Sequence, residues 1–562
     1  MRKTSYFFII FLLLFIFCFL SSNSVFADFL NQSANFNVDP DYEYQGRKQV
    51  DATLRKISNN AYWYLSNDYW AELSELERVL FLQKLGELVQ EFDTRIYPIE
   101  TQFWGSEPNP GIDNDPRVTV FITRLVDYAG GYFDSSHLYK KSQVPESNER
   151  EMVFINSISL LNNRAKIFLA HEFQHLIGIQ QKNILRSVTE DTWLNEARAE
   201  YVPRLLNYDE NYDASNIRRR VFAFQSNSSD PLAEWKNEAS DYGAITLFSY
   251  YLVDHYGEKI LVDSLKNNKI GLSSLNEILL LNGFTETFSD IFSNWTIANI
   301  LNDETVSPKF AYRYEHLKNF RVLPTQSSTL YGLDTISIFK TVKDWEPIWY
   351  EFDTPVNSSA INLKIYFSAD SGTKFMIPYI AFKINGQKET GFIPLNGQSG
   401  TLFLKNFGSD IYKVILIPAN HSKTSGFTEN DPTSSFSLKA QLTSEFQEIT
   451  SSPVPQISTV LSIQNLLDQI SALQSQINQL KTNLISQFSL YRNLSIGSQG
   501  EDVRWLQDFL IKEGVYPEAR ITGYFGSLTR SAVVRFQQKY GIFPQIGYIG
   551  PKTRAKMQEL LQ

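Results

Sequence analysis

Residues 165–179 read Ala165-Lys166-Ile167-Phe168-Leu169-Ala170-His171-Glu172-Phe173-Gln174-His175-Leu176-Ile177-Gly178-Ile179. Apolar residues crowd both ends of the stretch, which predicts a helix over 164–179. Histidines four residues apart share one helical face, so both imidazoles can point at one ion. Glu172 is rotated beside them, where it can reach water held by that ion. The chain has only six histidines, so the pairing does not come from a histidine-rich composition. The competing reading is a helix with two packed or solvated histidines.

The next helical stretch, predicted over 193–206, opens with Trp193-Leu194-Asn195-Glu196-Ala197-Arg198-Ala199-Glu200. Catalytic zinc takes three protein ligands and keeps a fourth position open for water. Glu196 would complete the set begun by His171 and His175. Glu200 lies one turn further along the same face. Ligating histidines give their second ring N–H to an outer carboxylate, and Glu200 is placed to receive that of His171. Its alternative is a surface glutamate.

Together the two segments resemble the gluzincins, peptidases with an HExxH helix and a downstream glutamate ligand. The run from His171 to Ile177, with the Trp193-Leu194-Asn195-Glu196 segment, is closer still to the bacterial hyicolysin-type metallopeptidases. The likeness covers residues 100–260 and departs at Ala197-Arg198, where many relatives have Gly-Leu; Arg198 could tune what binds nearby. The resemblance implies a zinc-dependent endopeptidase with His171, His175 and Glu196 as ligands and Glu172 as catalytic base. The Gly-x-Met-Glu-Asn segment of the aminopeptidase branch is missing. The resemblance also implies a tyrosine downstream that stabilises the oxyanion. The candidate is Tyr242, placed just before a helix predicted over 244–256, with Tyr250, Tyr251 and His255 as competitors. Packing is the alternative for all four.

Around this site the chain divides. At 562 residues it exceeds a single core. Residues 1–27 read as a secretory signal peptide. They show Arg2 and Lys3, then an apolar run holding the only cysteine, Cys18, then Val25-Phe26-Ala27. A membrane anchor is the alternative. Cleavage after Ala27 would leave a secreted, extracellular or wall-associated protein without disulfides. Residues 28–320 have an α+β texture, expected to be the zincin catalytic domain, with a helix over 71–92, strands over 117–123 and 152–155, and a helix over 271–281. Residues 321–448 alternate like strands of an all-β sandwich, in runs at 360–367, 379–384, 400–404 and 412–417. Residues 449–492 carry Ile and Leu at heptad spacing, a coiled-coil spacer helix. It either pairs with a second copy, giving a homodimer, or lies on a neighbouring domain.

Residues 493–562 hold a repeat, in which Gly523-Tyr524-Phe525-Gly526-Ser527-Leu528-Thr529-Arg530 returns as Gly547-Tyr548-Ile549-Gly550-Pro551-Lys552-Thr553-Arg554. Each copy predicts a glycine turn entering a helix, and a third helix begins near Glu501. The segment resembles the three-helix peptidoglycan-binding domain of secreted bacterial wall proteins. That implies peptidoglycan as a partner beside the protein or peptide substrate. A second reading makes the chain a peptidoglycan-binding surface protein that cuts wall cross-links or has lost activity. The net charge of −9 gives no electrostatic footprint for nucleic acid. Asp113, Asn114 and Asp115 could bind calcium, but without a full ligand-loop spacing; a plain acidic turn is the other reading.

Overall fold

The computed structural model describes residues 27–162, 164–356, 361–428, 430–444, 492–517 and 520–561. The expected signal peptide and coiled-coil spacer lie outside the described residues, except for Ala27 and Arg492. Among the described residues no helix is long and apolar enough to cross a membrane. The described residues form two compact units, one within residues 1–181 and 199–210 and the other within 182–198 and 211–562. It is a multidomain α+β protein with a sheet-rich region and a C-terminal helical region.

The first unit is built on β1 (Ser33–Asn37), β2 (Gln49–Ile57), β3 (Ala61–Ser66), β4 (Val118–Thr123), β5 (Gly131–Tyr132) and β6 (Met152–Asn156). They form one sheet in the order β1-β2-β3-β4-β6-β5. The central strands β3, β4 and β6 run parallel, and every residue of all three is buried. Apolar runs without alternation suit strands covered on both faces. One face holds Phe36, Val50, Tyr64, Phe121 and Phe154.

Helices α1 (Asn67–Glu72), α2 (Glu75–Glu91) and α3 (Tyr97–Trp104) lie between β3 and β4, and α4 (Ser157–Leu161) and α5 (Ala165–Gly178) follow β6. The single helix expected over 71–92 is two. Ser74 breaks it by capping α2, its hydroxyl accepting the Glu77 N–H while the Glu77 carboxylate accepts the Ser74 N–H. Phe173 of α5 meets the Phe92 ring at 5.2 Å, and Phe92 meets Trp63 of β3 at 5.7 Å. This aromatic relay fixes α5 against the sheet. Helix α6 (Thr192–Leu205) follows, and its residues from 199 onward belong to this unit.

The second unit contains α7 (Asn216–Ser226), α8 (Ala239–Tyr256), α9 (Lys259–Leu265), α10 (Gly271–Leu281) and α11 (Phe288–Leu301). Helix α8 starts five residues before the expected 244. Its capping box joins Glu238 to Asp241, so Tyr242 sits inside the first turn rather than before it. The sheet-rich region runs from β7 (Gln326–Thr329) to β17 (Ser434–Thr443). One group of strands follows the path β8 (Thr335–Val342), β17, β10 (Ile361–Ala369), β14 (Ser399–Phe407). Another joins β13 (Lys388–Phe392), β12 (Pro378–Lys383), β15 (Ile411–Leu416) and β9 (Tyr350–Asp353). Only the pair Phe407 and Ile411 links β14 to β15. Phe367 and Leu438 from the first group and Phe352 and Val414 from the second share one buried core.

The C-terminal part has three helices, α12 (Glu501–Lys512), α13 (Ser527–Lys539) and α14 (Pro551–Leu561). Its core is its own, with Leu494, Leu506, Phe536, Ile549 and Met557 buried together.

Candidate metal centre

Helix α5 presents His171 and His175 one turn apart on one face. Their Nε2 atoms are 3.1 Å apart and the rings stand at 82°. Two imidazole nitrogens at this distance need a proton or a cation between them, because neutral lone pairs repel. His171, His175 and Glu196 each offer one ligand atom, and these atoms all lie within 4.8 Å of one another. Among the described residues no other three His, Cys, Asp or Glu side chains form such a group. Nitrogen and oxygen ligands at roughly 2.0–2.2 Å around a tetrahedral ion stand roughly 3.4 Å apart. The histidine pair already has that spacing, and the donor set of two imidazoles and a carboxylate fits zinc.

Glu172 is buried beside the pair. A β-carbon at Gly131 of β5 would lie 3.1 Å from its Cγ and 2.7 Å from the Phe154 carbonyl oxygen. Glycine at this edge strand is what leaves the Glu172 side chain its room. Glu200 is buried too, and its Oε1 lies 3.4 Å from Nδ1 of His171. That is the nitrogen turned away from His175.

Two acidic residues near this region escaped the sequence reading. Glu100 of α3 is fully buried, and neither carboxylate oxygen has a hydrogen-bond partner among the described residues. Burial holds its carboxyl well above the usual range, with His171 pulling the other way. Glu190 sits just ahead of α6 and ties that helix down. It accepts from Arg198 at 2.9 Å and from the Gly271 N–H at 2.6 Å, with Lys182 at 3.3 Å. Neither residue carries a local sequence signature; only the fold shows that they are buried.

Arg198 is the cation that Glu190 holds most closely. It is fully buried and pairs with Glu190 and with Ser264 Oγ, so it braces the helix that carries Glu196. Tyr242 donates its hydroxyl to Asn237 Oδ1 at 2.8 Å, with Trp235 and Arg220 packed on its ring. Its competitors are engaged elsewhere. Tyr251 donates to the Lys309 carbonyl, and His255 Nε2 lies 2.9 Å from the Ala311 carbonyl. Burial pushes the His255 pKa down to about 4, and Tyr250 packs edge-on against Tyr314. The acidic turn spends its carboxylates internally. Asp113 accepts the Asp115 N–H, and Asp115 accepts the Tyr62 hydroxyl and the Arg117 N–H.

No curated protein matches the chain. Several small solved structures align with low scores. The pre-peptidase C-terminal domain of a collagenase from Bacillus anthracis shares 11% identity over 21% of this chain and 96% of that one, at a TM-score of 0.16. The Yersinia pseudotuberculosis-derived mitogen shares 12% over 22% and 99%, at 0.15. The periplasmic lysozyme inhibitor PliG of Aeromonas hydrophila shares 10% over 21% and 96%, at 0.15. Likenesses this low carry no argument. A family model does match in the C-terminal part: residues 499–557 fit the peptidoglycan binding domain. The chain thus carries a peptidoglycan-binding domain, and with it a means of attachment to the cell wall.

Proposed function

We propose that this chain is a secreted zinc-dependent endopeptidase, held at the bacterial cell wall by its C-terminal domain. The observation that carries the reading is the convergence of His171, His175 and Glu196, with Glu172 next to the first ligand on the same helix. A zinc ion bound there would draw the pKa of a coordinated water towards ~7 and polarise the peptide carbonyl. Glu172 takes the proton of the attacking water and returns it to the leaving amine. Glu200 accepts from His171 Nδ1 and holds that ring in the orientation that leaves Nε2 free to ligate. Tyr242 is the proposed oxyanion donor, exchanging its bond to Asn237 for one to the substrate. Strand β5 ends the sheet beside Glu172, so an extended peptide can pair along it.

Elemental analysis of purified protein tests the reading. The wild type should carry about one zinc per chain, and Glu196→Ala should lose it, because two imidazoles leave the site one ligand short. Full occupancy in that variant would remove Glu196 from the site. Comparing unfolded casein with purified sacculi as substrates separates a general endopeptidase from one that cuts wall cross-links.

A further inference from the structure

The repeat in the C-terminal domain is structural as well as sequential. Gly523 and Gly547 share a left-handed φ of +74°, which favours glycine. A buried glutamine reads each turn. Gln507 Oε1 accepts the Gly523 N–H, while its Nε2 donates to the Tyr524 carbonyl and to Thr529 Oγ1. Gln537 repeats the pattern with the Gly547 N–H, the Tyr548 carbonyl and Thr553 Oγ1.

What these two turns display is an aromatic ring each. Tyr524 is 47% exposed and Tyr548 39%. Each ring lies against the glycine two residues on. A β-carbon at Gly526 would stand 3.4 Å from Tyr524 Cε1, and one at Gly550 would stand 2.8 Å from Tyr548 Cε1. The glycine supports one side of the ring and leaves the other to solvent. The turns also border one chain segment. Ile549 exchanges backbone hydrogen bonds with Leu494, and Phe525 donates to Ser498. Those two partners are four positions apart in the chain, a span of at most roughly 14 Å. The two turns are thus anchored within one short stretch of chain.

We infer that this domain grips the amino-sugar strand of peptidoglycan through two quasi-equivalent subsites, built on Tyr524 and Tyr548. The inference rests on the peptidoglycan-binding assignment and is independent of the metal centre. Two copies of one surface suit a ligand that repeats along its own length, as the glycan does. Pyranose rings offer apolar C–H faces to an aromatic ring and hydroxyls to its rim, and tyrosine matches both. A stem peptide bound through its carboxylates would call for cations with free donors. The arginines packed at the two turns are tied to the carbonyls of Ile521 and Ile546 through one nitrogen each, so competition by a stem peptide is the outcome that separates the two ligands.

Sedimentation of full-length protein with purified sacculi tests this, with Tyr524→Ala, Tyr548→Ala and the double variant compared by thermal melting for intact folding. Each single change should weaken binding roughly ten-fold, and the double change roughly 10²-fold or more, since the subsites act in tandem. Tyr→Trp at either position should retain binding. A soluble tetramer of N-acetylglucosamine should compete with the sacculi, and a soluble stem peptide should not. Unaltered binding by a folded double variant would overturn the subsites, as would competition by the stem peptide alone. A wild-type chain that stays in the supernatant would overturn peptidoglycan binding itself.

Discussion

The proposed metal centre and the C-terminal domain use their residues in opposite ways. His171, Glu172, His175 and Glu196 occur once each, and α5 and α6 carry them among buried side chains. The C-terminal turns occur twice, each with its own glutamine, glycine and tyrosine, and the tyrosines are partly exposed. A single-copy constellation fails entirely when one member goes. A duplicated surface fails by degrees. Chemistry on one bond tolerates only one geometry, whereas adhesion to a polymer adds up contacts. Substitutions in the two regions should therefore differ in size.

The largest effect belongs to the proposed base. Glu172→Gln keeps the shape of the side chain but cannot take a proton, so turnover should fall by roughly 10²–10⁴-fold with zinc retained. Near-normal proteolysis by a zinc-loaded variant would place the base elsewhere. Next comes the brace behind Glu196. Arg198→Met leaves Glu190 buried without its closest cation, and losing one partner of such a pair costs about 3–5 kcal/mol. Lys182 remains 3.3 Å from Glu190 and offsets part of the loss, so about 3 kcal/mol is expected from chemical denaturation. An unchanged unfolding midpoint would mean that the pair is no brace.

How far these regions could be foreseen depended on the range of the interactions that build them. Helices α5 and α6, strands β4 and β6 and the three C-terminal helices follow from periodicity and glycine turns, which act over a few residues. Ser74-Glu75-Leu76-Glu77 spells a capping box that splits the helix expected over 71–92, a local signal outweighed by the apolar run around it. The bracing role of Arg198 is not legible for a different reason. It lies two residues from the proposed ligand Glu196, but its partner Ser264 lies 66 positions away. Glu100 and Glu190 were invisible on the same ground, since burial of a lone acid is decided by distant chain. The glycine repeat was plain, yet the ring laid on Gly526 or Gly550 needs the turn in three dimensions.

Glu200 should give an intermediate effect. Its carboxylate stands 3.4 Å from His171 Nδ1 and does not belong to the ligand group. Glu200→Gln can still accept the ring N–H but no longer strengthens the imidazole with a negative charge. Partners of this kind are worth roughly 10–100-fold in metal affinity. Competition against a chromophoric chelator reads that loss directly, apart from turnover. Wild-type affinity in the variant would reduce Glu200 to packing.

The smallest expected effect is the one that would break the contrast altogether. The C-terminal domain keeps its own core, from Leu494 to Met557. The proposed ligands and base all come before residue 200. Deleting residues 493–562 should then leave cleavage of a small soluble peptide unchanged while abolishing co-sedimentation with sacculi. The two readouts must separate, because a surface that only raises local concentration does nothing for a substrate already free in solution. Cleavage of insoluble wall material would fall in the same truncated protein, since there the domain supplies the encounter. If instead a truncated chain with an intact melting curve lost soluble-peptide cleavage, the duplicated surface would belong to the catalytic site, and the division between single-copy chemistry and repeated adhesion would not hold.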